Sequence, residues 1–339
     1  MFFDYLRVAA TFAVIFVHVS AQNWASVDVN SFEWRVFNFY DSLGRWGAAV
    51  FIMISGALFL NKEISMKKIY SKNILRMLIA FIVWSIIYSF FVTGTKTEKV
   101  LAILQGHYHM WFILMIIGLY MCLPFIKPLV QNDNRMKYYL LLWFIFAFVI
   151  HEAVILIQDF GSGFITQAAI AANKSVTNMN MNIVLGYVGY FILGYYLSQI
   201  TLQRKHRLII YVLGLVGVAL TAGLCLIVSL RTQTYCSNYY DRFTVNVFFE
   251  VLAVYTWFKY RKYGNERLNA FVQKLSKYSF GAYLIHALVI EQFNKLLGFN
   301  TLLFNPVFSV ICISVVVFVV SFGASALLNQ IPIVKKYMI

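Results

Sequence analysis

The sequence predicts an all-α protein: a polytopic bundle of about ten membrane-crossing helices, forming one transmembrane domain over residues 1–339. Three observations predict it. Of 339 residues, 61% are hydrophobic and 12% are charged, against about 25% charge in an ordinary soluble domain. The apolar residues gather into stretches that approach the roughly 20 needed to cross a hydrocarbon core as helix. The basic residues gather in alternate connecting segments, as the positive-inside rule demands of membrane chains.

The first apolar stretch, 5–21, follows Met1-Phe2-Phe3-Asp4. That start has no basic leader, and no small-residue cleavage site follows, so the stretch is expected to stay as helix. The second, 46–60, is short and carries the small residues Ser55 and Gly56, which in an apolar helix permit close packing. Stretches at 74–93, 110–126 and 138–158 follow, the last holding the adjacent polar pair His151 and Glu152. That pair reads as an interhelical tie or as a further polar site. Apolar runs continue at 183–199, 208–230 and 243–258; 279–297 is interrupted by polar residues, and 303–328 is the last. No linker or low-complexity segment divides the chain. No internal repeat is evident, which disfavours transporter folds built from duplicated halves. Cys122, Cys225, Cys236 and Cys312 lack CxxC or other ligand spacing, so neither a metal site nor a disulfide framework is expected.

With both termini in the cytoplasm, 20 of the 28 lysines and arginines fall on the inner side. The expected setting is therefore multi-pass in the plasma or inner membrane with cytoplasmic ends. The net charge of +15 reads as this topology signal plus attraction to anionic lipid. It does not read as nucleic-acid binding, because no basic domain stands outside the membrane.

Arg7 and His18 bracket ten mostly apolar residues. Eleven residues of helix make about three turns, so both side chains leave one face, about 16 Å apart along the axis. The residues alone leave two readings. One is an arginine that snorkels to the interface above a hydrogen-bonded histidine plug; the other is a reactive site at mid-membrane.

Order adds to composition. Asp4-x-x-Arg7 with His18, then Arg45-Trp46-Gly47-Ala48-Ala49-Val50-Phe51-Ile52-Met53-Ile54-Ser55-Gly56, then the basic segment Lys67 to Arg76, resemble the acyltransferase-3 family of bacterial membrane acyltransferases. His109-Met110-Trp111-Phe112-Ile113, Gly189-Tyr190-Phe191-Ile192-Leu193-Gly194-Tyr195-Tyr196 and Ser279-Phe280-Gly281-Ala282-Tyr283-Leu284-Ile285-His286 continue in the family's order. The resemblance spans nearly the whole chain. It implies about ten spans, an acyl-CoA taken from the cytoplasm (acetyl-CoA by default), and a glycan or lipid-linked sugar as acceptor. Spacing alone shows none of this.

Transfer from a thioester to a hydroxyl needs a base for the hydroxyl proton and donors for the oxyanion. The resemblance makes His18 catalytic, either as general base or as carrier of the acyl group. It gives Arg7 the CoA phosphates or the thioester arm, with a guanidinium's paired donors. Asp4 either orients Arg7 or is a helix-terminal charge. Arg76 and Lys72 are implied as CoA contacts, although Asn73 stands where the family often has a basic residue. Ser55 is a hydrogen-bonding or packing residue beside the CoA tunnel. Arg45 either snorkels to the outer interface or, as the resemblance favours, contacts the acceptor or the acyl carbonyl. His109 and Trp111 are expected on the acceptor side. The resemblance makes Tyr283 and His286 site-lining residues, His286 being otherwise a satisfied structural histidine. His107-x-His109 is not metal spacing on a helix, and no metal is expected. A secondary transporter with an intramembrane polar site is the alternative, and oligomeric state stays open.

Overall fold

The computed structural model describes residues 1–63, 65–93, 95–180 and 185–339. Among them there is helix, turn and loop but no strand. Lipid explains this, because each backbone donor and acceptor in the hydrocarbon must be satisfied within the segment. Among the described residues seven helical stretches are long and apolar enough to cross a membrane: Phe2–Ser20, Phe32–Leu60, Met66–Ser89, Lys96–Met121, Asp133–Phe160, Arg204–Thr232 and Pro306–Leu328.

Three of the expected spans form helices that miss this standard. The stretch 183–199 begins outside the described residues and continues as Val188–Gln199, 12 residues long. Val245–Tyr260 has 16 residues. Glu266–Leu297 is long, with 32 residues, but carries a polar first half. All three bury much of their length: Tyr190, Phe191, Ile192, Val251, Tyr255, Leu284 and His286 are at most 0–1% exposed. A helix enclosed by other helices meets little lipid, so the apolar-length rule binds it weakly.

Helix α1 (Phe2–Ser20) lies at the centre, against α2 (Phe32–Gly44), α3 (Gly47–Leu60), Val245–Tyr260, Glu266–Leu297 and Pro306–Leu328. Two of its hydroxyls are satisfied along its own backbone. The Thr11 hydroxyl donates to the Arg7 carbonyl at 2.9 Å, and the Ser20 hydroxyl to Phe16 at 2.9 Å. α1 and Glu266–Leu297 run in the same direction. The Tyr5 hydroxyl donates to Asn269 Oδ1 at 2.9 Å, Arg7 to Ser276 Oγ at 3.0 Å, and the His18 ring stands 5.2 Å from that of His286. Glu152 is a tie, its carboxylate accepting from the Val245 backbone at 3.3 Å. Segments 32–44 and 163–178, which lie between the expected spans, are helical too.

α3 crosses Val188–Gln199 at a pair of glycines. A Cβ on Gly56 would land on the Phe191 carbonyl, and one on Gly194 on the Met53 carbonyl. Backbone cannot give way as a side chain can, so only glycine allows this approach. Gly56→Val is expected to cost at least about 3 kcal/mol, the upper range of overpacking. Thermal unfolding in detergent checks this, with Gly118→Ala, where nothing lies within 4 Å, as a silent control.

Candidate active site

Arg7 and His18 sit on one face of α1, and that face borders a cavity of about 970 Å³. The bend between α2 and α3 brings Arg45, and α3 brings Phe51 and Ser55. The first half of Met66–Ser89 brings Lys72, Asn73 and Arg76; the helix after Met110 brings Trp111 and Phe112; and Glu266–Leu297 brings Ser279, Phe280 and Tyr283. The cavity thus gathers Arg7, His18, Arg45, Ser55, Lys72, Arg76, His109, Trp111 and Tyr283 from across the sequence. His286 stands behind the wall, fully buried, its ring 5.2 Å from His18 and 5.0 Å from His109.

The two ends differ in chemistry. At one, Lys72 and Arg76 meet Lys335 and Lys336 of the C-terminal helix Pro332–Tyr337. Arg76 donates to the Ile339 backbone oxygen and lies over the Phe280 ring at 5.8 Å, while Trp84 Nε1 donates to the Met338 carbonyl at 3.0 Å. The C-terminal residues are thereby pinned against the basic segment. Arg7 stands further in, half-buried. Asp4 pairs with the N-terminal amine at 3.5 Å. Ser55 donates to the Phe51 carbonyl at 3.0 Å within α3 and presents its side chain to the cavity.

At the other end four of the six histidines converge. His286 Nδ1 donates to the Tyr283 carbonyl at 2.5 Å, which leaves Nε2 as its basic atom, buried and without a hydrogen-bond partner. Tyr283 donates its hydroxyl to the His109 carbonyl. His109 Nδ1 lies 2.9 Å from His107 Nδ1, and His107 Nε2 lies 3.0 Å from Glu291 Oε1. The His107 ring stacks on Tyr88 at 4.1 Å. Among the described residues no group of three His, Cys, Asp or Glu side chains is placed to hold a metal ion.

Two arginines complete this end. Arg45 is paired with Asp41, which is fully buried, and lies 4.0 Å over the Tyr240 ring. Arg242 lies 4.3 Å over Trp111 and donates to the Tyr187 hydroxyl at 2.7 Å. Among the described lining residues there are seven lysines and arginines and no Asp or Glu. Such a cavity attracts an anion along its length.

Sequence reasoning singled out neither Arg242 nor Lys335, Lys336, His107 and Glu291 as site residues. The lysines and Arg242 were read only for topology, because their charge gives the same signal whether a side chain faces lipid headgroups or a cavity. A family model described as an acyltransferase domain matches residues 2–326. No curated protein and no solved structure matches.

Proposed function

The chain belongs to the acyltransferase-3 family, and from that premise we propose that it moves an acyl group, acetyl by default, from cytoplasmic acyl-CoA to a hydroxyl of a membrane-associated or surface glycan. One observation carries the reading: Arg7, His18 and a four-cation mouth made by Lys72, Arg76, Lys335 and Lys336 border a single cavity with no acidic residue among its described lining. In this reading about ten helices cross the plasma or inner membrane, with both termini cytoplasmic. The basic mouth then faces the cytoplasm and holds the nucleotide phosphates, while the pantetheine arm runs inward past Arg7. An extended arm matches the ~15 Å from interface to mid-bilayer.

The thioester carbonyl then lies beside His18. The acceptor hydroxyl gives its proton to the His18 imidazole as its oxygen attacks the carbonyl. The carbon–sulfur bond breaks, and the departing thiolate takes the proton back from the imidazolium to leave free CoA. Alternatively His18 first takes the acyl group itself and yields it to the hydroxyl in a second step. Arg45, His109 and Trp111 frame the reacting end, with Tyr283 and the buried His286 holding the histidines in register. Nothing in the fold or the family match favours a transporter.

The test is acyl-CoA affinity of purified variants. Arg76→Ala and the pair Lys335→Ala with Lys336→Ala are each expected to weaken acetyl-CoA binding about tenfold or more, as lost charged hydrogen bonds to phosphate do. Trp111→Ala should leave that affinity nearly unchanged. Loss of binding in Trp111→Ala but not in Arg76→Ala would reverse the assignment of the two ends.

A further inference from the structure

His18 borders two cavities. The second, of about 290 Å³, lies beyond it toward the C-terminal end of α1 and is lined by His18, Gln22, Tyr108, Glu291 and Asn294 with Ala21 and Ile290. His18 is the one residue that lines both among those described. The first cavity approaches it from the basic mouth, and the second approaches from the opposite end of the helix. A thioester arm that fills the first leaves the second open to a different reactant.

The chemistry of the second cavity is unlike that of the first. Among its described lining residues there is no lysine or arginine, and its acidic group is the Glu291 carboxylate. That carboxylate is held still by His107 Nε2 at 3.0 Å, with His107 fixed in turn by His109 and by stacking on Tyr88. Gln22 Oε1 is buried with no hydrogen-bond partner, an acceptor awaiting a donor. Asn294 Oδ1 accepts from Asn300 at 3.1 Å, which turns its amide N–H groups to other partners. One carboxylate held by His107 and one unpartnered amide oxygen, beside one amide and one phenol, suit a ligand rich in hydroxyls. A carboxylate in a small polar cavity repels carboxylates and phosphates. The volume falls just below the roughly 300–1,000 Å³ of pockets that enclose drug-sized ligands, room for about one sugar ring.

We propose that this second cavity is the acceptor subsite: it holds one uncharged sugar residue by its hydroxyls and presents one of them to His18 from the side opposite the thioester. The proposal rests on the acyl-transfer reading above. Glu291, Gln22 and Asn294 bind and orient the sugar, and His107 positions Glu291.

The experiment uses the full chain in cells whose surface glycans are analysed by mass spectrometry, with Gln22→Leu, Glu291→Gln and Asn294→Leu produced at wild-type levels. Radiolabelled acetyl-CoA binding to each purified variant is measured in parallel. The expected result is at least about a tenfold fall in glycan acylation with acetyl-CoA affinity unchanged, and an uncharged sugar as the acylated residue in the fragment spectra. The preserved affinity shows that each variant is folded. Unchanged acylation in all three variants, or an acyl group carried on a uronic acid or a phosphorylated sugar, overturns the proposal, as does a fall in acylation that tracks lost acetyl-CoA binding. A wild-type protein that neither binds acetyl-CoA nor acylates any glycan refutes the acyl-transfer reading instead.

Discussion

His18→Ala is expected to lower acyl transfer by about 10²–10⁴-fold, the range for a lost general base, or to abolish it where the histidine carries the acyl group. The fold should survive. α1 is anchored by Leu6, Ala10, Ala13, Ile15 and Val19, all at most 3% exposed, whereas His18 is half-buried between two cavities and meets Tyr108 and His286 through ring contacts of 5.2 Å each. Glycan acylation per molecule of membrane-inserted protein is the measurement, with acetyl-CoA binding as the check on folding. Near-normal product from a well-inserted variant removes His18 from the reaction. Incubating wild-type protein with labelled acetyl-CoA and no acceptor separates the two routes. Label retained on the protein, and absent from His18→Ala, marks an acyl-histidine; no retained label marks direct transfer.

Asp41→Ala is expected to be the most destabilising single change near the site, by about 3–5 kcal/mol. Asp41 is fully buried and ion-paired to Arg45. Its loss leaves a guanidinium held over Tyr240 at 4.0 Å in low dielectric with its counter-ion gone. The same reasoning predicts partial recovery in the double variant Asp41→Leu with Arg45→Met, where neither charge is buried alone. Thermal unfolding of the single and double variants in one detergent reads this directly. A double variant no more stable than Asp41→Ala would mean that Asp41 serves packing and not charge balance.

Much of the membrane fold was legible because lipid leaves so few solutions. Apolar length marks a helix wherever lipid touches it, and seven stretches obey. The rule loses force inside the bundle: Val188–Gln199 and Glu266–Leu297 are recognisable as helices, but their length and polarity reflect protein neighbours. Arg7 and His18 were legible for a geometric reason, since eleven residues of one helix fix their relation without tertiary knowledge. Arg242 and the lysines at 335 and 336 were not, because their place in the cavity depends on the Asp241–Phe243 turn and the C-terminal helix folding back from distant sequence. Glu291 was hidden similarly. It lies inside the polar-interrupted span 279–297, where a charge is one polar residue among several, and its meaning comes from His107, 184 positions earlier in the chain.

The two hollows that meet at His18 have a bearing on the membrane itself. A bilayer insulates because ions find no polar route across about 30 Å of hydrocarbon. Here cavities carrying polar groups reach inward from both ends of α1, and the residue that lines both is His18. In the acyl-transfer reading, the ring that would offer a basic nitrogen to a reactant also stands between the two spaces. A substitution that shrinks this ring, held by its contacts with Tyr108 and His286, would therefore join the two spaces as well as remove the imidazole.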